Sequence, residues 1–245
     1  MKNFFAVLLF LMVCVNIFAQ EPSAEELLRR VDDNEIYDTI VYEGEMIIEY
    51  QKRRYVKTMR AAARGSTDSF IEFTNKEDAG TKYLKKGSKL YVYSPDIEKV
   101  VLISGHMLKE SIMGSDLSYE DTVNNDTLSS RYTPVLAGSA VYNEKNCYLL
   151  ELSAKNKTES YPKQKLWIDK SSGDLVHSEQ FALSGAKLKE FTLLKTEQIG
   201  KRRFPVQYEM RDAMRKDSRT IFVMNKIELD KPVAESVFSI RNLER

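Results

Sequence analysis

From about residue 40 onward, hydrophobic and polar positions alternate with a period of two, the signature of strands with one dry and one wet side. In the stretch 42–50, Met46, Ile48 and Tyr50 fall on one side while Glu45 and Glu49 fall on the other. Similar segments follow at 55–62, 68–74, 82–85, 89–93 and 99–103, and again at 140–142, 147–153, 164–169, 175–182, 187–198, 204–211 and 218–229. Turn chemistry separates them, as in Arg64-Gly65-Ser66, Asp78-Ala79-Gly80, Lys86-Gly87-Ser88, Ser94-Pro95-Asp96 and Ser184-Gly185-Ala186. Short strands at this spacing predict an antiparallel meander of about eleven strands that curls into a sandwich or barrel. No linker or low-complexity tract interrupts it, so one domain is expected.

Helical spacing occurs in two places. Ser23 with Glu26 forms a capping-box pattern, and Leu27, Leu28 and Val31 share one side of a short helix that should end by Asp32-Asp33-Asn34. Between residues 105 and 125 the alternation stops, and Ser118-Tyr119-Glu120-Asp121 reads as a helix start inside a long connection. Long connections in compact domains tend to be lids or binding loops. The polar stretch 124–130 is expected to be exposed.

The N-terminus adds a compartment. Met1-Lys2-Asn3, an apolar run over 4–15 and a small residue at Ala19 describe a secretory signal peptide over residues 1–19, with a mature chain over 20–245. The apolar run is shorter than the roughly 20 residues a membrane span needs. Lipid anchoring through Cys14 is the alternative, against which Val13 stands where a lipobox has a small residue. Cys147 is then the sole mature cysteine, so the fold rests on its core rather than a disulfide, and its apolar neighbours mark it as a buried small hydrophobe.

Charge is balanced, 37 Lys and Arg against 36 Asp and Glu, which excludes a nucleic-acid partner of the usual basic kind. Two histidines and one mature cysteine leave little for a metal site, and neither a metal nor a cofactor is expected.

Several phrases resemble the outer-membrane lipoprotein-sorting protein family, the LolA-like domains of diderm bacteria. They are Gly80-Thr81-Lys82-Tyr83-Leu84-Lys85-Lys86-Gly87, Leu90-Tyr91-Val92-Tyr93-Ser94-Pro95 and above all Met113-Gly114-Ser115-Asp116-Leu117-Ser118-Tyr119-Glu120-Asp121. Leu166-Trp167-Ile168-Asp169 with Gly173, and the closing run from Val237 to Leu243, are similar too. The resemblance implies a mainly β fold, an unclosed antiparallel β-barrel with an N-terminal helix and a helical lid in the central connection. It implies a periplasmic carrier of lipid or lipoprotein acyl chains, or else a lipid-sensing domain reporting to a membrane-bound regulator. Expected partners are lipoprotein acyl chains or phospholipid, an inner-membrane transporter or regulator, and the membrane in transient contact.

An acyl chain needs a dry concave surface and little else, because apolar area leaving water supplies about 25 cal/mol per Å². The cavity wall is therefore expected from Met46, Ile48 and Tyr50, then Ile71 and Phe73, Tyr91 and Tyr93, Tyr148 and Leu150, and Trp167. Met107, Leu108, Ile112, Met113 and Leu117 would form the inner face of the lid, or of a surface helix docked permanently. No catalytic residues are expected. Asp116, Glu120 and Asp121 lack calcium-loop spacing and suit a helix start, and His177, Ser178 and Glu179 point alternately to opposite faces of a strand. Lys201-Arg202-Arg203 suits either anionic head groups or a solvated hairpin tip.

Overall fold

The computed structural model describes residues 21–124 and 126–244. The expected signal peptide and Cys14 lie outside the described residues. Helix α1 (Ala24–Glu35) begins as its sequence predicts, with the Glu26 amide donating to Ser23 Oγ at 3.1 Å and the Ser23 amide donating to Glu26 Oε2 at 3.0 Å. It runs past the acidic cluster expected to end it. The reason is Asp32, which is buried and accepts hydrogen bonds from the Leu128 and Ser129 amides at 2.8 and 3.0 Å. An acidic residue that looks like a helix stop is the cap of a second helix, α3 (Leu128–Arg131), in the stretch expected to be exposed.

Thirteen strands form among the described residues, two more than the approximate expectation, because every alternating segment pairs on its own. In chain order they are β1 (Thr39–Tyr50), β2 (Arg53–Arg64), β3 (Asp68–Phe73), β4 (Lys82–Lys86), β5 (Lys89–Ser94) and β6 (Lys99–Ile103). After the central connection come β7 (Tyr132–Tyr142), β8 (Lys145–Ala154), β9 (Lys163–Asp169), β10 (Leu175–Phe181), β11 (Lys187–Ile199), β12 (Arg202–Asp212) and β13 (Ser218–Leu229). Strand β7 is much longer than the expected 140–142. Pro134 and a bulge between Leu136 and Gly138 mask its period. Both are tolerated because β7 is an edge, where a missing N–H and an irregular ladder cost least.

All pairings are antiparallel, and the sheet runs β6-β5-β4-β3-β2-β1-β13-β12-β11-β10-β9-β8-β7. Each strand therefore lies beside its sequence neighbours except at the centre, where β1 meets β13 with Met46 opposite Phe222 and Ile48 opposite Thr220. The edges β6 and β7 do not pair, so the barrel is unclosed. Helix α1 touches both β12 and β7, five strand spacings apart. In a flat sheet that separation would be about 24 Å, more than twice a helix diameter. The sheet must curl around α1.

Register sorts the side chains into two faces. The inner face carries Met46, Ile48, Met59, Phe73 and Tyr83 on one half, and Leu150, Leu152, Leu166 and Ile168 on the other. Leu27, Leu28 and Val31 of α1 pack on the second half together with Tyr132. The outer face of β2 to β5 is covered by the C-terminal segment, where Phe238 and Leu243 (in α4, Ile240–Leu243) bury against Ala62 and Leu84. The closing run of the sequence is thus an outer cover. Cys147 is fully buried, as its neighbours suggested.

Because Leu28 is buried in the larger inner cluster, Leu28→Ala should lower stability by about 2–5 kcal/mol. Ser23→Ala, which removes only the exposed cap, should cost about 1 kcal/mol. Urea unfolding of the two variants checks the order.

Candidate functional site

Between the two inner clusters, three aromatic residues line up across β11, β12 and β13. Phe222 lies opposite Met46 on one side and Tyr208 on the other, and Phe191 lies opposite Met210. The Tyr208 and Phe222 rings stack with centroids 5.1 Å apart, and Phe191 and Tyr208 are 5.5 Å apart. Tyr42 joins them from β1. Its ring lies over Gly44, where a Cβ would come within 3.0 Å of it, so the missing side chain makes room for the ring.

These side chains are not packed solid. Tyr42 and Tyr208 on this face are half-buried, and Glu35 at the end of α1 is exposed. Phe191, Leu193, Phe222 and Met224 are likewise only half-buried. A row of half-buried apolar side chains on the inside of a curled sheet forms a concave surface. Burial raises the Tyr42 and Tyr208 hydroxyls well above the ordinary tyrosine range. Desolvation, with Asp32 nearby, pushes the Glu35 carboxyl up to about 7. The hollow of this face is thus lined by apolar and aromatic side chains, with the Glu35 carboxyl near its α1 end.

The central connection closes over this face. It is not one helix but a 3₁₀ turn (Gly105–Lys109), a second 3₁₀ turn (Ile112–Gly114) and helix α2 (Tyr119–Val123). Ile112 is buried against Met46, Ile48, Met59, Phe73 and Tyr83, and Met113 packs beside it, its sulfur 3.2 Å from the Tyr83 hydroxyl. Leu117, Met107 and Leu108 are half-buried. Met113 holds a left-handed backbone, φ 51°, next to Gly114 at 75°. An ordinary side chain pays a conformational cost there, so the contacts of Ile112 and Met113 must hold the turn in place.

Two polar anchors fix the connection to the far half of the sheet. Asp116, 1% exposed, accepts from the Thr220 hydroxyl at 2.7 Å and the Asp212 amide at 3.1 Å, while its own amide donates to Thr220 Oγ1 at 2.9 Å. Asp121 accepts from the Tyr161 hydroxyl at 2.6 Å and forms a buried ion pair with Lys189. It also accepts from the Ser118 amide at 2.7 Å, so it caps α2 as the acidic pattern predicts. Asp116 does not cap. Its sequence signal looked like a helix start, but its partners lie on β12 and β13.

The remaining expected wall residues divide. Tyr148 and Leu150 lie on the inner face under α1, and Ile71 packs with Met46, Ile48 and Phe73. Tyr50 ends β1 beneath the Arg215 guanidinium, 4.9 Å away. Tyr91 and Tyr93 face outward, because their strand neighbours Leu90 and Val92 take the inner positions; they pack under the C-terminal cover. Trp167 also points outward, between the inward Leu166 and Ile168, and sits 5.0 Å from His177. His177 stacks on Tyr142 at 4.3 Å and shares a 3.2 Å hydrogen bond with Thr192, and burial lowers its pKa. At the β11–β12 hairpin, Arg202 pairs with Asp230 and Arg203 with Asp174.

The solved structures that resemble this one share its whole architecture. A DUF1329 family protein from Desulfovibrio piger aligns at TM-score 0.80 and 24% identity, over 90% of this chain and 97% of its own. An outer membrane lipoprotein-sorting protein domain from Vibrio parahaemolyticus aligns at 0.78 and 19%, over 91% and 98%. A LolA superfamily protein from Nitrosomonas europaea aligns at 0.75 and 18%, over 90% and 99%. The fold is therefore that of the LolA-like unclosed barrels. Residues 65–245 match a protein family described as "Uncharacterized protein", and the chain belongs to that family. None of the curated proteins matches it significantly.

Two outcomes are expected from this geometry. Folding raises the Glu35 carboxyl from 4.5 to about 7, so Glu35 binds its proton more tightly when folded. Its cost to stability is absent below pH 4.5, grows as the pH rises and is complete above 7. Glu35→Gln should therefore match wild type at pH 4 and exceed it at pH 8, in thermal melts at both. Asp116→Ala leaves the Asp212 amide without its acceptor, and should speed hydrogen exchange across residues 112–121 before it does so in β1 or β13.

Proposed function

We propose that the chain is a periplasmic carrier that holds acyl chains of lipid or lipoprotein in the hollow and performs no chemistry of its own. In this reading the signal peptide over residues 1–19 exports it. The central connection is the movable cover, and cargo is exchanged in transient contact with the membrane or an inner-membrane partner. The observation that carries the reading is the row of half-buried apolar side chains on the inside of the curled sheet, Tyr42, Phe191, Leu193, Tyr208, Phe222 and Met224. A barrel that its own side chains do not fill encloses ligand space. Each methylene moved there from water contributes about 0.8 kcal/mol, so a chain of several needs no polar anchor. The lipoprotein-sorting domain among the similar structures supports the same direction. The cavity wall, in this reading, is the inner set Met46, Ile48, Ile71, Phe73, Phe191, Tyr208 and Phe222.

Solvent extraction of the chain purified from residue 20 onward, followed by mass spectrometry, should find fatty-acyl lipid in stoichiometric amount. Phe222→Glu and Tyr208→Glu should empty the hollow, whereas Trp167→Glu, on the outer face, should keep its lipid. A wild-type protein that carries none, and whose melting point is unmoved by added lipid, would sink the carrier reading.

A further inference from the structure

The rim beside the Asp116 anchor holds a cleft of a different character. It is a space of about 410 Å³ between the β1–β2 and β12–β13 hairpins. Five cationic side chains line it, Lys52, Arg53, Arg54, Arg211 and Arg219, against the two carboxylates of Glu49 and Asp217. Part of that charge is already used. Arg219 pairs with Glu49 at 2.8 Å and with Glu209 at 3.4 Å, and Arg211 pairs with Glu209 at 2.6 Å. The side chains of Lys52, Arg53 and Arg54 are exposed and make no hydrogen bond or close ion pair among the described residues, although Arg54, with Arg219, helps hold the Glu49 carboxyl low. Register places Arg53 opposite Tyr50 and Arg54 opposite Glu49, so these cations flank the hairpin on both sides. At the cleft wall sits Ser218, 4% exposed, whose hydroxyl has no hydrogen-bond partner.

We propose that this cleft binds a phosphate group. Guanidinium forks match phosphate oxygens two at a time, and a concave site with surplus positive charge concentrates anions. The surplus here suits a phosphate better than a single carboxylate. The charged lining suits a head group with its waters and not an acyl chain. Tyr50 ties the cleft to the cover. Its ring lies under Arg215, which also donates to the backbone carbonyls of Gly114 and Ser115, the latter contact the shorter and the former 2.9 Å. An anion in the cleft would therefore sit one residue away from the hold on the central connection. The phosphate could belong to a lipid head group or be free. The lipid source rests on the carrier reading, and the free source does not.

The test uses calorimetric titration with inorganic phosphate, and co-sedimentation with phosphatidylcholine vesicles with and without phosphatidylglycerol. The cleft variant replaces Lys52, Arg53 and Arg54 together by Gln. The control variant replaces Lys76, Lys89 and Lys99 by Gln, an equal loss of charge at exposed positions away from the cleft. Wild type should bind one phosphate, and the cleft variant should bind it about tenfold more weakly or worse with an unchanged melting point, while the control binds as wild type does. Retention on phosphatidylglycerol vesicles alone, lost in the cleft variant only, supports the site with a lipid surface as its source. No binding of either probe, or equal weakening in both variants, overturns the proposal. Acyl lipid counted in the same preparations separates the two readings, since the cleft variant should keep its acyl content, and an empty hollow with intact phosphate binding tells against the carrier alone.

Discussion

The antiparallel pairing of β1 with β13 is the constraint on which the architecture depends. Every other pairing joins sequence neighbours through a turn, so without this one the chain would be two separate meanders, β1 to β6 and β7 to β13. Joined, they share one continuous inner face, and the aromatic row of Phe191, Tyr208 and Phe222 meets Met46 across the join. This face curls, and its middle is left half-buried between α1 on one side and Ile112 on the other.

The two covers are held differently. Helix α1 is held by apolar area, with Leu27, Leu28 and Val31 buried among strand side chains. The central connection combines one apolar plug with two polar anchors, Asp116 and Asp121, whose partners lie on β11, β12, β13 and the β8–β9 loop. Buried polar networks define one geometry sharply but gain little net stability over apolar packing. Such an attachment gives the connection one sharply defined position over the sheet.

Much of the fold was legible because a period of two is a strong signal wherever one face is dry. Failures have local causes. Pro134 and the Gly138 bulge hid most of β7, and Asp32 looked like a helix stop because its partners, the Leu128 and Ser129 amides, are distant in sequence. The site was less legible. Strand alternation tells which residues share a face but not which face is inside, and β13 has apolar residues on both, Phe222 inward and Ile221 and Val223 outward. The same ambiguity placed Tyr91, Tyr93 and Trp167 on the wall list although they face out, and left Phe191, Tyr208 and Phe222 off it. Glu35 gave no signal at all, since the groups near it, Asp32, Tyr37 and Tyr208, come together only in the fold.

The seam between β6 and β7 has a mechanical consequence. The segment that bridges it, from Ser104 to Arg131, is the covalent continuation of both edges, and among the described residues its one strand-like link is an isolated bridge within itself, Ser111 to Ser118. Widening the seam therefore breaks no ladder hydrogen bond of the sheet. A closed barrel has a fixed girth set by its strand number and stagger. Here the distance between the two edges is held by side chains of one connection, Ile112, Asp116 and Asp121 among them, and not by backbone pairing.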